Sequence, residues 1–166
     1  MIKKGVIISF TLLVLLTGSL LARQEIEIAV SDILFSENTV YNSPATNLID
    51  NNESTGWRLE KGAQEGWSEL FLEEKTLIYG LEIAGELNED TKLVIEYLNN
   101  DQWLPFINSV ITELSQKVVD LSYDSIVTDK LRLRLKGNDI NESELNKIKV
   151  IGQAADSKEH NIKTGS

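Results

Sequence analysis

Cysteine is absent from the 166 residues, and histidine occurs once. The first absence excludes a disulfide scaffold, a thiolate metal site and a lipidated cysteine behind a leader. A domain built this way must hold itself together by burial. The second thins the catalytic inventory. His160 lies in a polar C-terminal stretch, where plain solvation is the expected fate, and serines without a histidine partner are poor nucleophiles. Carboxylates are plentiful, but a glycosidase pair needs a carved cleft and one acid of raised pKa, and a small domain has no obvious place for one. The expectation is therefore no enzyme. Positive charge is also scarce: 16 Lys and Arg stand against 26 Asp and Glu, for a net charge of −10. So acidic a chain repels phosphate backbones and anionic lipid, which disfavours nucleic acid and membrane lipid as partners. A sustained helical period is missing too, since no segment keeps apolar residues at helical spacing beyond a turn or two.

One long apolar run is present, from Val6 to Leu16, behind the basic pair Lys3-Lys4 and ahead of Leu20-Leu21-Ala22. That is the layout of a secretory signal peptide, expected over 1–22; a retained membrane anchor is the alternative. Export is then expected, to a periplasm, a cell surface or the medium. The lack of disulfides suits a bacterial envelope. Residues 23–152 form one domain, and 153–166 a polar, disordered tail.

Within the domain the apolar residues alternate. Ile26, Ile28 and Val30 share one face, and Ile33-Leu34-Phe35 continue the apolar content. Strands are expected over 67–72, 76–84 (Leu77, Tyr79, Leu81 and Ile83 on one face) and 92–98 (Leu93, Ile95 and Tyr97 inward). Asn99-Asn-Asp101 turns the last of these into a hairpin with 102–106. Shorter strands follow at 118–121 and 147–151, and Leu131, Leu133 and Leu135 alternate with Arg132, Arg134 and Lys136 between them. Those cations read as the exposed face of a strand or an ion-pair ladder. About eight short strands argue an all-β antiparallel sandwich, with a closed barrel as the alternative on pattern alone.

The stretch Ser43-Pro-Ala-Thr-Asn-Leu-Ile-Asp-Asn-Asn-Glu-Ser-Thr-Gly-Trp57 holds no period. It combines turn-forming Asn, Asp and Pro with anchors at Leu48, Ile49 and Trp57. Asn47-Leu-Ile-Asp50 through Ser54-Thr-Gly-Trp57 resembles the signature loop of the discoidin (coagulation factor 5/8 type C) family, which includes bacterial carbohydrate-binding modules. Gly66-Trp-Ser-Glu-Leu-Phe-Leu72, Ile78-Tyr-Gly-Leu-Glu-Ile83, Ile95-Glu-Tyr97, Trp103-Leu-Pro-Phe106, Thr128-Asp-Lys-Leu-Arg-Leu133 and Ile148-Lys-Val-Ile-Gly152 follow in the family's order. Animal members usually close their ends with a disulfide, which this chain lacks. The resemblance implies the galactose-binding-like jelly roll.

It further implies a calcium ion inside the signature loop, held here by Asp50, Thr55 and loop oxygens near Ala45 and Asn52. The carboxylate that the family supplies from its last strand is replaced by Lys147, whose ammonium would take the ion's place and pair with Asp50. Ligands in the family are met by loops at the same end. Tyr41, Asn42, Arg58 and Asn88 are the candidates, a ring for a sugar's C–H face and planar polar groups for its hydroxyls. Trp57, Trp67 and Trp103 are expected in or against the core. A monomeric carbohydrate-binding module is the reading, with a surface or periplasmic protein-interaction or adhesion module of the same fold as the alternative.

Overall fold

A computed structural model describes residues 26–114, 117–138 and 140–155. The expected signal segment and residues 156–166, with His160, lie outside them. The described residues form eight strands: β1 (Ile26–Ile28), β2 (Val30–Phe35), β3 (Glu65–Glu86), β4 (Lys92–Asn99), β5 (Gln102–Ile111), β6 (Lys117–Asp120), β7 (Val127–Lys136) and β8 (Glu144–Ala154). All their pairings are antiparallel. β3 serves two layers. Its first half lies between β2 and β7, with β4 and β5 beyond β7; its second half lies between β6 and β8, with β1 beyond β8. The result is an antiparallel β-sandwich of the jelly-roll kind.

The core follows the alternation. Leu131, Leu133 and Leu135 of β7 and Leu93 and Ile95 of β4 are wholly buried, as are Leu81, Ile83, Leu145 and Val150 of the second layer. The strand expected over 76–84 is not separate from that over 67–72. Glu73, Glu74 and Lys75 are exposed charges, yet the backbone stays extended through them, and pairing with β7 shifts register between Phe71 and Thr76. A second shift falls at Tyr79, one extra residue on β3 opposite β8. It flips the parity, so Ile78 rather than Leu77 is wholly buried, while Leu81 and Ile83 face inward as expected. Ile26 also departs from expectation: β1 lies at the sheet edge and leaves it 48% exposed. β8 runs to Ala154, past the expected start of the tail.

The cations of β7 form a ladder. Glu96, only 2% exposed, accepts from Arg132 Nε at 2.8 Å and also bonds Arg134. Glu69 lies 3.8 Å from Arg132, Glu65 lies 3.4 Å from Arg134, and the Arg132 guanidinium stacks on Trp103 at 4.3 Å. A buried carboxylate needs such partners, because an unpaired charge there costs several kcal/mol. At the edge, Lys149 Nζ donates to Glu27 Oε2 at 2.9 Å and ties β1 to β8. That bond, with Glu27's charge, raises the Lys149 pKa above its ordinary value, so the ammonium is charged at neutral pH and is lost only as the pH rises through that raised value.

Trp57 is the largest wholly buried side chain, and its indole Nε1 donates to Thr39 Oγ1 at 3.2 Å. Trp57→Ala is expected to lower the unfolding free energy by about 3–5 kcal/mol in urea titrations, from lost contact and the cavity left behind. A midpoint close to that of the native protein would contradict its anchoring role.

Candidate ligand-binding site

The loop between β2 and β3 is held by a short rung of backbone. Trp57 N donates to Leu145 O at 2.7 Å and Leu145 N to Trp57 O at 3.1 Å, which fixes the rung to the start of β8. On its other side Val40 N donates to Arg58 O (3.0 Å), Arg58 N to Ser43 O (3.1 Å) and Glu60 N to Asn38 O (2.8 Å). An extended backbone alternates its side chains. Trp57 and Leu59 therefore enter the core, and Arg58 and Glu60 project to solvent.

Arg58 is oriented by what it meets. Its Nε and Nη2 both donate to Ser43 Oγ at 3.3 Å, and Nε lies 3.9 Å from Glu144 Oε1. Glu144 lies against Gly56, where a Cβ would fall 2.3 Å from Glu144 Oε1. Asn88 reaches the same segment: its N–H donates to Ser143 Oγ at 2.9 Å and its Nδ2 to Glu142 Oε2 at 3.3 Å. Tyr41 is 93% exposed, and Asn42 is exposed beside it in the turn that Ser43 N closes on Val40 O. The expected residues thus fall on connected loops, with residues 142–144 as the bridge between Arg58 and Asn88.

Sequence reasoning missed Ser43 and Glu144, and it took Glu60 only as the start of the stretch, 60–64, that extends the loop past Arg58. The alternation Trp57-Arg-Leu-Glu60 was the available signal for Glu60, but the stretch reads first as a charged connection. Glu144 carries no local signal, because it meets Arg58 only through the pairing of Trp57 with Leu145. Phe35, Thr39, Val40, Tyr41, Pro44 and Glu60 line an open cleft of about 620 Å³ beside this cluster.

The signature loop closes on itself. Asp50 Oδ1 accepts from Asn52 N at 2.8 Å, and Asp50 Oδ2 accepts from Thr55 Oγ1 at 2.7 Å. Thr55 Oγ1 also lies 2.8 Å from Asn52 O, and Asn146 Nδ2 donates to Thr55 O at 3.2 Å. Asn51 carries the left-handed turn with φ 58°, a conformation that asparagine tolerates better than most residues. Asp50, Asn52 and Thr55 are thus brought together, while Ala45 is buried at the head of the 3₁₀ turn Ala45–Ile49. Lys147 does not pair with Asp50. Its Nζ lies 3.2 Å from Glu53 and 3.9 Å from Glu82, since the start of β8 carries one extra residue opposite Ala84 and Gly85 and delivers Lys147 beyond Asp50. As arranged, these groups do not fit a calcium ion: both Asp50 oxygens already accept from the loop, and no group of three or more metal-ligating side chains gathers there among the described residues.

No protein-family model and no curated protein matches the sequence. Solved structures do match its fold. A chitosan-binding module of a chitosanase/glucanase from Paenibacillus sp. IK-5 superposes with a TM-score of 0.63 at 14% identity, covering 77% of this chain and 99% of the module. A family 32 carbohydrate-binding module from C. perfringens NanJ, solved with galactose, gives 0.58 at 19% identity over 76% and 99%. A GH29 fucosidase from Ruminococcus gnavus, solved with fucose, gives 0.59 at 17% identity over 75% of this chain. The chain spans only 25% of the fucosidase's length. The likeness establishes the fold alone, an antiparallel β-sandwich.

Thermal melting is expected to be the same in millimolar calcium and in chelator. Asp50→Ala is expected to cost about 0.5–1.5 kcal/mol in urea titrations, because it removes the bonds from the Asn52 N–H and the Thr55 hydroxyl, both of which keep access to solvent. A midpoint that falls on chelation would put a cation among these oxygens.

Proposed function

We infer that this chain is an exported, non-catalytic carbohydrate-binding module that meets its glycan at the loop end of the sandwich. The observation that carries the reading is an almost fully exposed Tyr41 ring beside the held cluster of Ser43, Arg58 and Glu144. A sugar presents an apolar C–H face and a rim of hydroxyls. Tyr41 offers a flat partner to the face, while Arg58 and Glu144 offer a donor fork and an acceptor to neighbouring hydroxyls. Asn42 and Asn88 lie where amides add further bonds. Because Ser43 and Glu144 already restrain Arg58, little of its rotamer freedom remains to be lost on binding. Two of the structural neighbours named above are solved with galactose or described as binding chitosan, which supports a sugar as the ligand. In this reading the signature loop is a calcium-free brace, and the protein acts as a monomer in a bacterial envelope or outside it.

The second reading is a protein-interaction or adhesion module. It draws on Ile107, Val110, Val118 and Tyr123, which stay exposed on β5, on β6 and just after β6.

A glycan array probed with the protein tests both. The expected result is a saturable hit that Tyr41→Ala and Arg58→Ala each weaken by about tenfold or more, roughly 1.4 kcal/mol. A blank array from folded protein would reject the glycan reading and favour the protein partner.

A further inference from the structure

We propose that the cleft between Phe35 and Tyr41 selects glycans that carry a free, protonated amine over acetylated or uronate-bearing ones. This names the ligand class of the site proposed above and rests on that reading.

The walls of the cleft are Phe35, Val40, Tyr41 and Pro44, with the buried Thr39 among its lining residues. Its single formally charged lining group is the carboxylate of Glu60. Glu60 has no ion-pair partner among the described residues. The nearby cations are committed or stand aside. Arg58, two residues before it, turns to Ser43 and Glu144, and Lys61 does not line the cleft. Two aromatic rings and one unpaired carboxylate form a site for an ammonium group: the ring faces attract a cation through their quadrupole, and the carboxylate supplies the counter-charge. The same carboxylate repels a uronate. An N-acetyl group offers no positive charge to either element. The net charge of −10 acts in the same direction at longer range, raising the local concentration of cationic ligands.

The rung fixes the geometry. Glu60 N is bonded to Asn38 O at 2.8 Å and Leu59 pairs with Thr39, while the Trp57 indole holds Thr39 from below. Glu60 and the Tyr41 turn are therefore fastened to one another through backbone, and both line the same cleft.

The test is calorimetric titration of the protein with three oligosaccharides of equal length: a glucosamine oligomer, its N-acetylated counterpart, and an oligogalacturonate. The glucosamine oligomer is expected to bind about tenfold tighter than the acetylated one, and the galacturonate weakest. Glu60→Gln, close in shape, should erase that preference by weakening the amine-bearing ligand alone, with an unchanged melting temperature. Tyr41→Ala should weaken every ligand that binds. Equal affinity for the amine and acetylated forms, or tighter galacturonate binding, would overturn the amine preference while leaving a glycan-binding site. A preference that survives Glu60→Gln but fades with salt would assign it to the acidic surface as a whole and overturn the cleft. Failure of all three sugars together with a blank glycan array would remove the glycan-binding reading itself.

Discussion

Trp57 lies wholly inside the core, with backbone bonds to Leu145 on one side and a side-chain bond to Thr39 on the other. Three segments far apart in sequence meet at that one side chain: the loop after β2, the end of the signature loop and the start of β8. Because the indole sits in the core, its backbone must run extended beside β8, and its neighbours must alternate. Arg58 and Glu60 are therefore placed at the surface by the same geometry that buries Trp57 and Leu59. The site candidates are a consequence of packing. A loop that merely carried Arg58 and Glu60 would not hold them beside Tyr41 and Glu144.

The strands were legible because burial in a sandwich leaves a period of two. Leu131, Leu133 and Leu135 alternate with charged residues and are all wholly buried, so that strand could be read directly. β3 could not. Its charged midpoint, Glu73-Glu74-Lys75, has the composition of a turn, but the strand is long because β2 pairs it before that point, β8 and β6 after it, and β7 on both sides. Long-range pairing overrides local propensity there. The bulge at Tyr79 has the same origin. Nothing in Ile78-Tyr-Gly80 signals an extra residue, and only the register with β8 shows that the inward parity changes.

The candidate site draws on exposed, side-chain-rich turns that the sequence displays and on contacts across strands that it does not. Tyr41, Asn42, Arg58 and Asn88 sit on turns that polar residues announce. Ser43 and Glu144 act only through Arg58, a relation that depends on Trp57 pairing with Leu145. Lys147 shows the same limit from the other side. Its departure from a carboxylate is visible in the sequence, but its partners Glu53 and Glu82 are not, because a one-residue shift in β8 sets where the ammonium ends up.

The two groups of charge in this protein differ in how completely they are satisfied, and that difference separates scaffold from site. On the outer face of β3, β7 and β4, Glu96 lies between two guanidiniums, Arg132 is also covered by Trp103, and each partner is itself shielded. A ligand there would have to compete with bonds already made in a partly desolvated setting, where removing one partner leaves a buried charge behind. At the loop end the pairs are longer and wetter. Arg58 approaches Glu144 at 3.9 Å with about half its side chain exposed. Such a pair contributes little to stability. It can exchange water and a loose counter-charge for a sugar's hydroxyls at low cost, so a charged cluster of modest structural value is the better candidate for binding, and the tightly paired ladder is the better candidate for holding the sheet.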